Sequence, residues 1–173
     1  MEFSGFYFLS YAEYNLYNGT PAQNYLIDGA AHETAHQWWF EQVADDQALQ
    51  PFLDEAMATY SERVFFESTD PSLLPWYWAY RVDQNHPGGW VDTSIYNAGG
   101  YPEYLGSVYY NGAHFFEDLR TRIGDPAFFA FLQDYLKQEN GRIATFTDFF
   151  RILKKHSTVD FSDIVRKYFQ NVY

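Results

Sequence analysis

His32-Glu33-Thr34-Ala35-His36 sets two imidazoles four positions apart, and Glu55 follows nineteen residues after the second. On an α-helix each residue advances about 100°, so positions i and i+4 lie roughly 40° apart on one face. Both imidazoles can converge on one point, with Glu33 beside it on the adjacent strip of the helix. Two neutral imidazole nitrogens and one carboxylate make a zinc site that keeps its fourth position open, the arrangement used for catalysis. HExxH alone also fits a polar helix face with two partly exposed histidines. Glu55 shifts the reading to metal, because residues 52–60 form an amphipathic segment. A helix–turn–helix hairpin would bring that carboxylate opposite the histidine pair.

Several elements must position these groups. Residues 1–11, rich in aromatics, are predicted as one strand whose pairing partners lie upstream. Asn18-Gly19-Thr20-Pro21 is a turn into a helix, with Thr20 as N-cap, Pro21 in the first helical position and Gln23 as capping-box partner. The zinc helix is expected to run to about Ala44, with Trp38 and Trp39 packing into the core and a cleft wall. A second helix spans about 53–67, and Asp70-Pro71 starts a third that reaches about Gln84. Residues 85–106 read as a long loop, of the kind that is usually functional or mobile, and it could border the site. His86 reads as a surface histidine there. A helix follows from Ser107 to Gly124, with His114 as a satisfied core histidine. Asp125-Pro126 opens another over about 128–137, and Thr145-x-x-Asp148 and Asp160-x-x-Asp163 resemble capping boxes before two more.

The residues from His32 to Trp39, the eighteen-residue gap and Glu55 together resemble the signature of the zinc aminopeptidases related to aminopeptidase N. That family carries HExxHxW and a third ligand in a Leu-Asn-Glu-Gly context; here Asp54 stands for the asparagine and Ala56 for the glycine. The resemblance implies zinc held by His32, His36 and Glu55, with Glu33 as general base. Tyr109-Tyr110-Asn111-Gly112-Ala113 is similar to the family's Tyr-x-Lys-Gly-Ala segment, which implies that Tyr109 donates a hydrogen bond to the transition-state oxyanion. Asn111 departs from the family's lysine. Met1-Glu2-Phe3-Ser4-Gly5 resembles a truncated Gly-x-Met-Glu-Asn-Pro-Gly motif, which implies that Glu2 holds the substrate's α-amine. The plainer reading of Glu2 is an exposed terminal glutamate.

Composition excludes some classes. Eleven basic residues against 23 acidic ones give a formal charge of −12, so nucleic acid and anionic membrane surfaces are not expected partners. The chain has no cysteine, which rules out a disulfide framework and a thiolate metal site. No stretch reaches the roughly eighteen apolar residues of a membrane span. Aromatic residues make up 22% of the chain and imply a Phe/Tyr-heavy core.

The expectation is one domain over residues 1–173, mainly α: the helical lobe of a thermolysin-like zinc peptidase catalytic domain with a short N-terminal β edge, six or seven helices, and an upstream β-rich domain belonging to a longer parent. The implied cofactor is zinc and the implied substrate is a peptide, cleaved at its N-terminal residue. Two rivals stay open: a thermolysin-like endopeptidase, and a non-catalytic interaction domain that keeps the zinc helix as scaffold.

Overall fold

The computed structural model describes residues 2–20 and 24–173, and for Glu2 the backbone alone. The architecture is helical, with two minimal strand pairs. Strands β1 (Glu2–Phe3) and β2 (Phe6–Tyr7) form an antiparallel hairpin, and α1 (Tyr11–Leu16) follows. Residues 1–11 are thus not the single strand expected. Gly5 at φ +81 reverses the chain, so the segment pairs with itself, and the Ser10 hydroxyl then caps α1 by accepting from the Glu13 amide at 3.3 Å. Helix α2 (Leu26–Ala35) carries the HExxH residues. It starts at Leu26, six residues after the expected cap Thr20, and the Asn24 side chain accepts from the Leu26 amide at 3.2 Å. Pro21 and Gln23 lie outside the described residues.

Helix α2 stops at Ala35 with His36 as its cap, rather than running to Ala44. Phe40 adopts φ 145 and breaks the helical path, and strand β3 (Val43–Ala44) pairs in parallel with β4 (Arg142–Ile143), a contact invisible to local pattern. A 3₁₀ turn at Pro51–Leu53 leads into α3 (Glu55–Thr69), which packs against α2 as the expected helical hairpin. The Asp70 restart is segmented: the Asp70 side chain caps a 3₁₀ turn at Pro71–Leu73, α4 (Leu74–Trp76) follows, and a π-helical stretch spans Tyr77–Val82.

The loop after it is shorter than expected, because α5 (Tyr101–Tyr104) begins the next rod and continues through a π-helical stretch, Leu105–Tyr110, into α6 (Asn111–Ile123). Then come α7 (Asp125–Glu139), α8 (Phe146–His156) and α9 (Ser162–Tyr168). The nine α-helical segments among the described residues exceed the six or seven expected, since residues 11–16 form a short helix that the sequence pattern does not indicate and the rods are segmented. Thr145 and Asp148 form a reciprocal capping box. Asp160 does not: α9 is capped by Phe161, and Asp160 only accepts from the Ser162 amide at 2.8 Å.

Phe52 sits at the centre of the core, with ring centroids of Phe115, Phe116, Phe149 and Phe169 within 5.1 to 5.8 Å. Offset and edge-to-face pairs of this kind add about 0.5–1.5 kcal/mol each beyond area burial. One glycine is essential to the packing. A Cβ on Gly112 would come within 2.5 Å of the Ala56 Cβ, so only a bare backbone lets α6 press against α3. That close approach carries the preceding Tyr109 and Tyr110 toward the second helix of the hairpin.

Candidate metal centre

Helices α2 and α3 face each other so that His32, His36 and Glu55 present donor atoms within 4.8 Å of one another, a group found among the described residues. The imidazole Nε2 atoms of His32 and His36 lie 3.2 and 3.5 Å from the same Glu55 oxygen. Ligands about 2.0–2.1 Å from a tetrahedral zinc are roughly 3.4 Å apart, so the trio already has the spacing of a zinc donor set.

The other ring nitrogens explain the orientation. His32 Nδ1 donates to Glu62 Oε1 at 2.8 Å, and His36 Nδ1 donates to Asp54. Each imidazole is thereby held with Nε2 turned inward, as carboxylates behind metal-binding histidines usually arrange. Asp54 is steadied in turn by the Gln47 amide at 2.9 Å. Sequence reasoning placed Asp54 beside the site but missed Glu62. The signal was there: Glu62 lies seven residues after Glu55, two turns along the same face of α3.

The electrostatics follow from this crowding. Burial disfavours the imidazolium forms, but bonds to Glu55 and Glu62 outweigh it and raise His32 to about 9. For His36 the bonds to Asp54 and Glu55 outweigh burial likewise and raise it to about 11. Burial would raise Glu55, yet the two histidines hold its carboxyl well below the usual carboxylate range. Burial, with the nearby charges of Asp54 and Glu55, pushes Asp45 up to about 8.

The trio opens into a cavity of about 450 Å³ that Gly29, Glu33, Arg81, Tyr101, Tyr109 and Tyr110 also line. Glu33 is half-buried there, next to His32 on α2. The Tyr109 ring stacks on His32, with centroids 5.9 Å apart and planes at 9°, and burial together with the Glu55 charge drives its hydroxyl far above the ordinary tyrosine value. Tyr110 also borders the cavity, with its hydroxyl accepting from Arg81 Nη1 at 3.1 Å. Of the two tyrosines, Tyr109 is the one that lies against His32. The Glu2 side chain lies outside the described residues. The hairpin that carries Glu2 is tied to the residue after His36: the Gly5 amide donates to Gln37 Oε1 at 2.9 Å, and Gln37 Nε2 donates to the Phe3 carbonyl at 3.1 Å.

Trp38 is exposed and Trp39 half-buried, on an apolar groove away from the cavity. His86 is exposed on its loop, as expected. His114 is not a core histidine: it is half-buried, stacks on Trp78 and meets Asp83 at 2.8 Å, because its turn of α6 faces the π-helical stretch rather than the core.

The Peptidase family M1 domain matches residues 16–168. No curated protein is matched by the chain. Among solved structures, an M1 zinc metallopeptidase mutant from Deinococcus radiodurans bound to a Tyr-Ser-Ala substrate superposes with a TM-score of 0.63 at 25% identity, over 84% of this chain and 34% of that one. The M1 zinc metallopeptidase of the same organism without that mutation gives 0.61 at 27% identity, over 82% and 32%. A two-domain M1 zinc metallopeptidase mutant bound to L-tryptophan gives 0.61 at 26% identity, over 84% and 34%. The chain therefore spans about a third of the length of these relatives. The cofactor of the family is zinc, which the nitrogen and oxygen donors of His32, His36 and Glu55 fit, and the aligned region is the mainly helical fold described above. With the family domain matched over residues 16–168, the chain belongs to peptidase family M1.

Proposed function

We propose that this chain is the zinc-binding helical lobe, forming one domain, of an aminopeptidase that removes the N-terminal residue of peptides. The observation that carries the reading is the common cavity: three metal donors, Glu33 and Tyr109 all border it. His32, His36 and Glu55 would hold zinc, which when bound lowers the pKa of a coordinated water and polarises the scissile carbonyl. Glu33 accepts the proton of the attacking water and delivers it to the leaving amine, proton transfers typically worth about 10²–10⁴ in rate. The Tyr109 hydroxyl, kept neutral by burial beside Glu55, donates a hydrogen bond to the oxyanion as it develops. Glu2 would pair with the substrate's α-ammonium and so measure one residue from the chain end. Related M1 structures bound to a tripeptide and to single amino acids are in keeping with a peptide substrate.

The test is Glu33→Gln in the longest natural chain containing this domain. It should keep stoichiometric zinc while peptide hydrolysis falls by at least about 10²-fold, because it removes a base and no ligand. Wild-type turnover in the variant would reassign the base. Comparing a free-amine substrate with its N-acetylated form tests Glu2: if Glu2→Ala slows both equally, the aminopeptidase reading yields to the endopeptidase one.

A further inference from the structure

Behind the histidine pair lies a cation that the chemistry above does not use. Arg81, on the π-helical stretch Tyr77–Val82, grips both oxygens of the fully buried Glu62: Nε donates to Oε2 at 2.8 Å and Nη2 to Oε1 at 2.7 Å. Nε also lies 2.8 Å from Oδ2 of the buried Asp28. Nη1 donates to the Tyr110 hydroxyl at 3.1 Å, and the guanidinium sits 5.4 Å from the Tyr110 ring centre. Three segments meet on this one side chain. Asp28 is on α2, four residues before His32; Glu62 is on α3, seven after Glu55; Tyr110 follows Tyr109.

We propose that Arg81 is a positioning residue for the metal centre. Glu62 accepts from the guanidinium at both oxygens and from His32 Nδ1 at Oε1. With Glu62 fixed as an acceptor, His32 must carry a proton on Nδ1, which directs its Nε2 lone pair to the metal. A bidentate fork fixes the plane of the carboxylate as well as its charge, which a lysine ammonium does not do. Through Nη1 the same guanidinium also meets Tyr110, the neighbour of Tyr109 in sequence. The inference rests on the zinc reading of His32, His36 and Glu55 and adds a residue that no local motif contains.

A purely structural rivet would predict lost stability and an unchanged metal site, so the experiment reads the metal. Zinc affinity of the chain is measured by competition with a chromogenic chelator, and the His32 Nδ1 proton of the zinc-loaded chain is followed by NMR for solvent exchange. Arg81→Met combined with Asp28→Asn, which leaves fewer buried charges unpaired, should weaken zinc binding about 10- to 100-fold and speed exchange of that proton. Arg81→Lys should fall between this variant and wild type. Tyr77→Phe is the control: it removes a buried hydrogen bond to the Thr59 carbonyl in the same cluster and should lower the melting temperature without changing either readout. If the double variant does not fold, Arg81→Lys decides alone. Folded Arg81 variants with wild-type affinity and an equally protected His32 proton would overturn the proposal. A wild-type chain that takes up no zinc would instead bring down the metal reading itself.

Discussion

Zinc uptake should expel about two protons from the metal-free chain at pH 7, and the number follows from hydrogen-bond geometry. Glu62 and Asp54 accept from the two Nδ1 atoms, while both Nε2 atoms face one oxygen of Glu55 at 3.2 and 3.5 Å. A carboxylate only accepts, so carboxylates facing both nitrogens of each ring favour the imidazolium form in the metal-free chain. The raised values, about 9 for His32 and about 11 for His36, say the same. A metal takes the Nε2 lone pair, so each histidine must release one proton while keeping the Nδ1 proton. Calorimetry at pH 7 in buffers of different ionisation enthalpy measures the count as the slope of observed enthalpy against buffer enthalpy. The slope should be near two, and the apparent dissociation constant should fall about 100-fold for each pH unit up to about 9, then about tenfold per unit as His32 is already deprotonated. A slope below one would mean that the histidines rest neutral and that Glu55 or its neighbours carry the protons, which would refute the reasoning.

Tyr109→Phe in the longest natural chain containing this domain should lower kcat with little change in KM, by about 3–4 kcal/mol of transition-state stabilisation, whereas Tyr110→Phe should act mainly on stability; steady-state kinetics separate them. Two helical glycines should respond with opposite signs: Gly29→Ala should raise stability by up to about 1 kcal/mol, because its Cβ meets no described atom within 4 Å, and Gly112→Ala should destabilise through its clash with Ala56, both read by urea melts. The metal-free chain should lose stability from pH 5 to pH 9. Asp28 is raised to about 7 by burial and the Glu62 charge, against Arg81, and Asp45 to about 8 by burial and neighbouring carboxylates. Each, like His32 at about 9, binds its proton more tightly folded than unfolded, so its contribution is complete below the unfolded value and disappears as pH rises through the folded one. A melting temperature that rises over this range would contradict the assignment.

Sequence spacing was sufficient to bring two imidazoles to one face, because helical geometry turns an interval directly into a direction. His32 and His36 share a face by their four-residue interval, and Tyr109 and Glu33 border the same cavity. Local chemistry also determined the Thr145 capping box and the Gly124 break, since both depend on neighbours within one turn. Tertiary structure alone decided where α2 ends, because the β3–β4 pair joins residues about a hundred positions apart. It also decided that residues 1–11 fold back at Gly5, and that His114 leaves the core for Trp78 and Asp83. Glu62 could have been found from its interval to Glu55. Arg81 could not, since its partners Asp28, Glu62 and Tyr110 come from three segments and meet only after packing. A periodicity reports the face on which a side chain lies, but the partner across that face depends on how helices cross, which is set by long-range contacts such as Gly112 on Ala56.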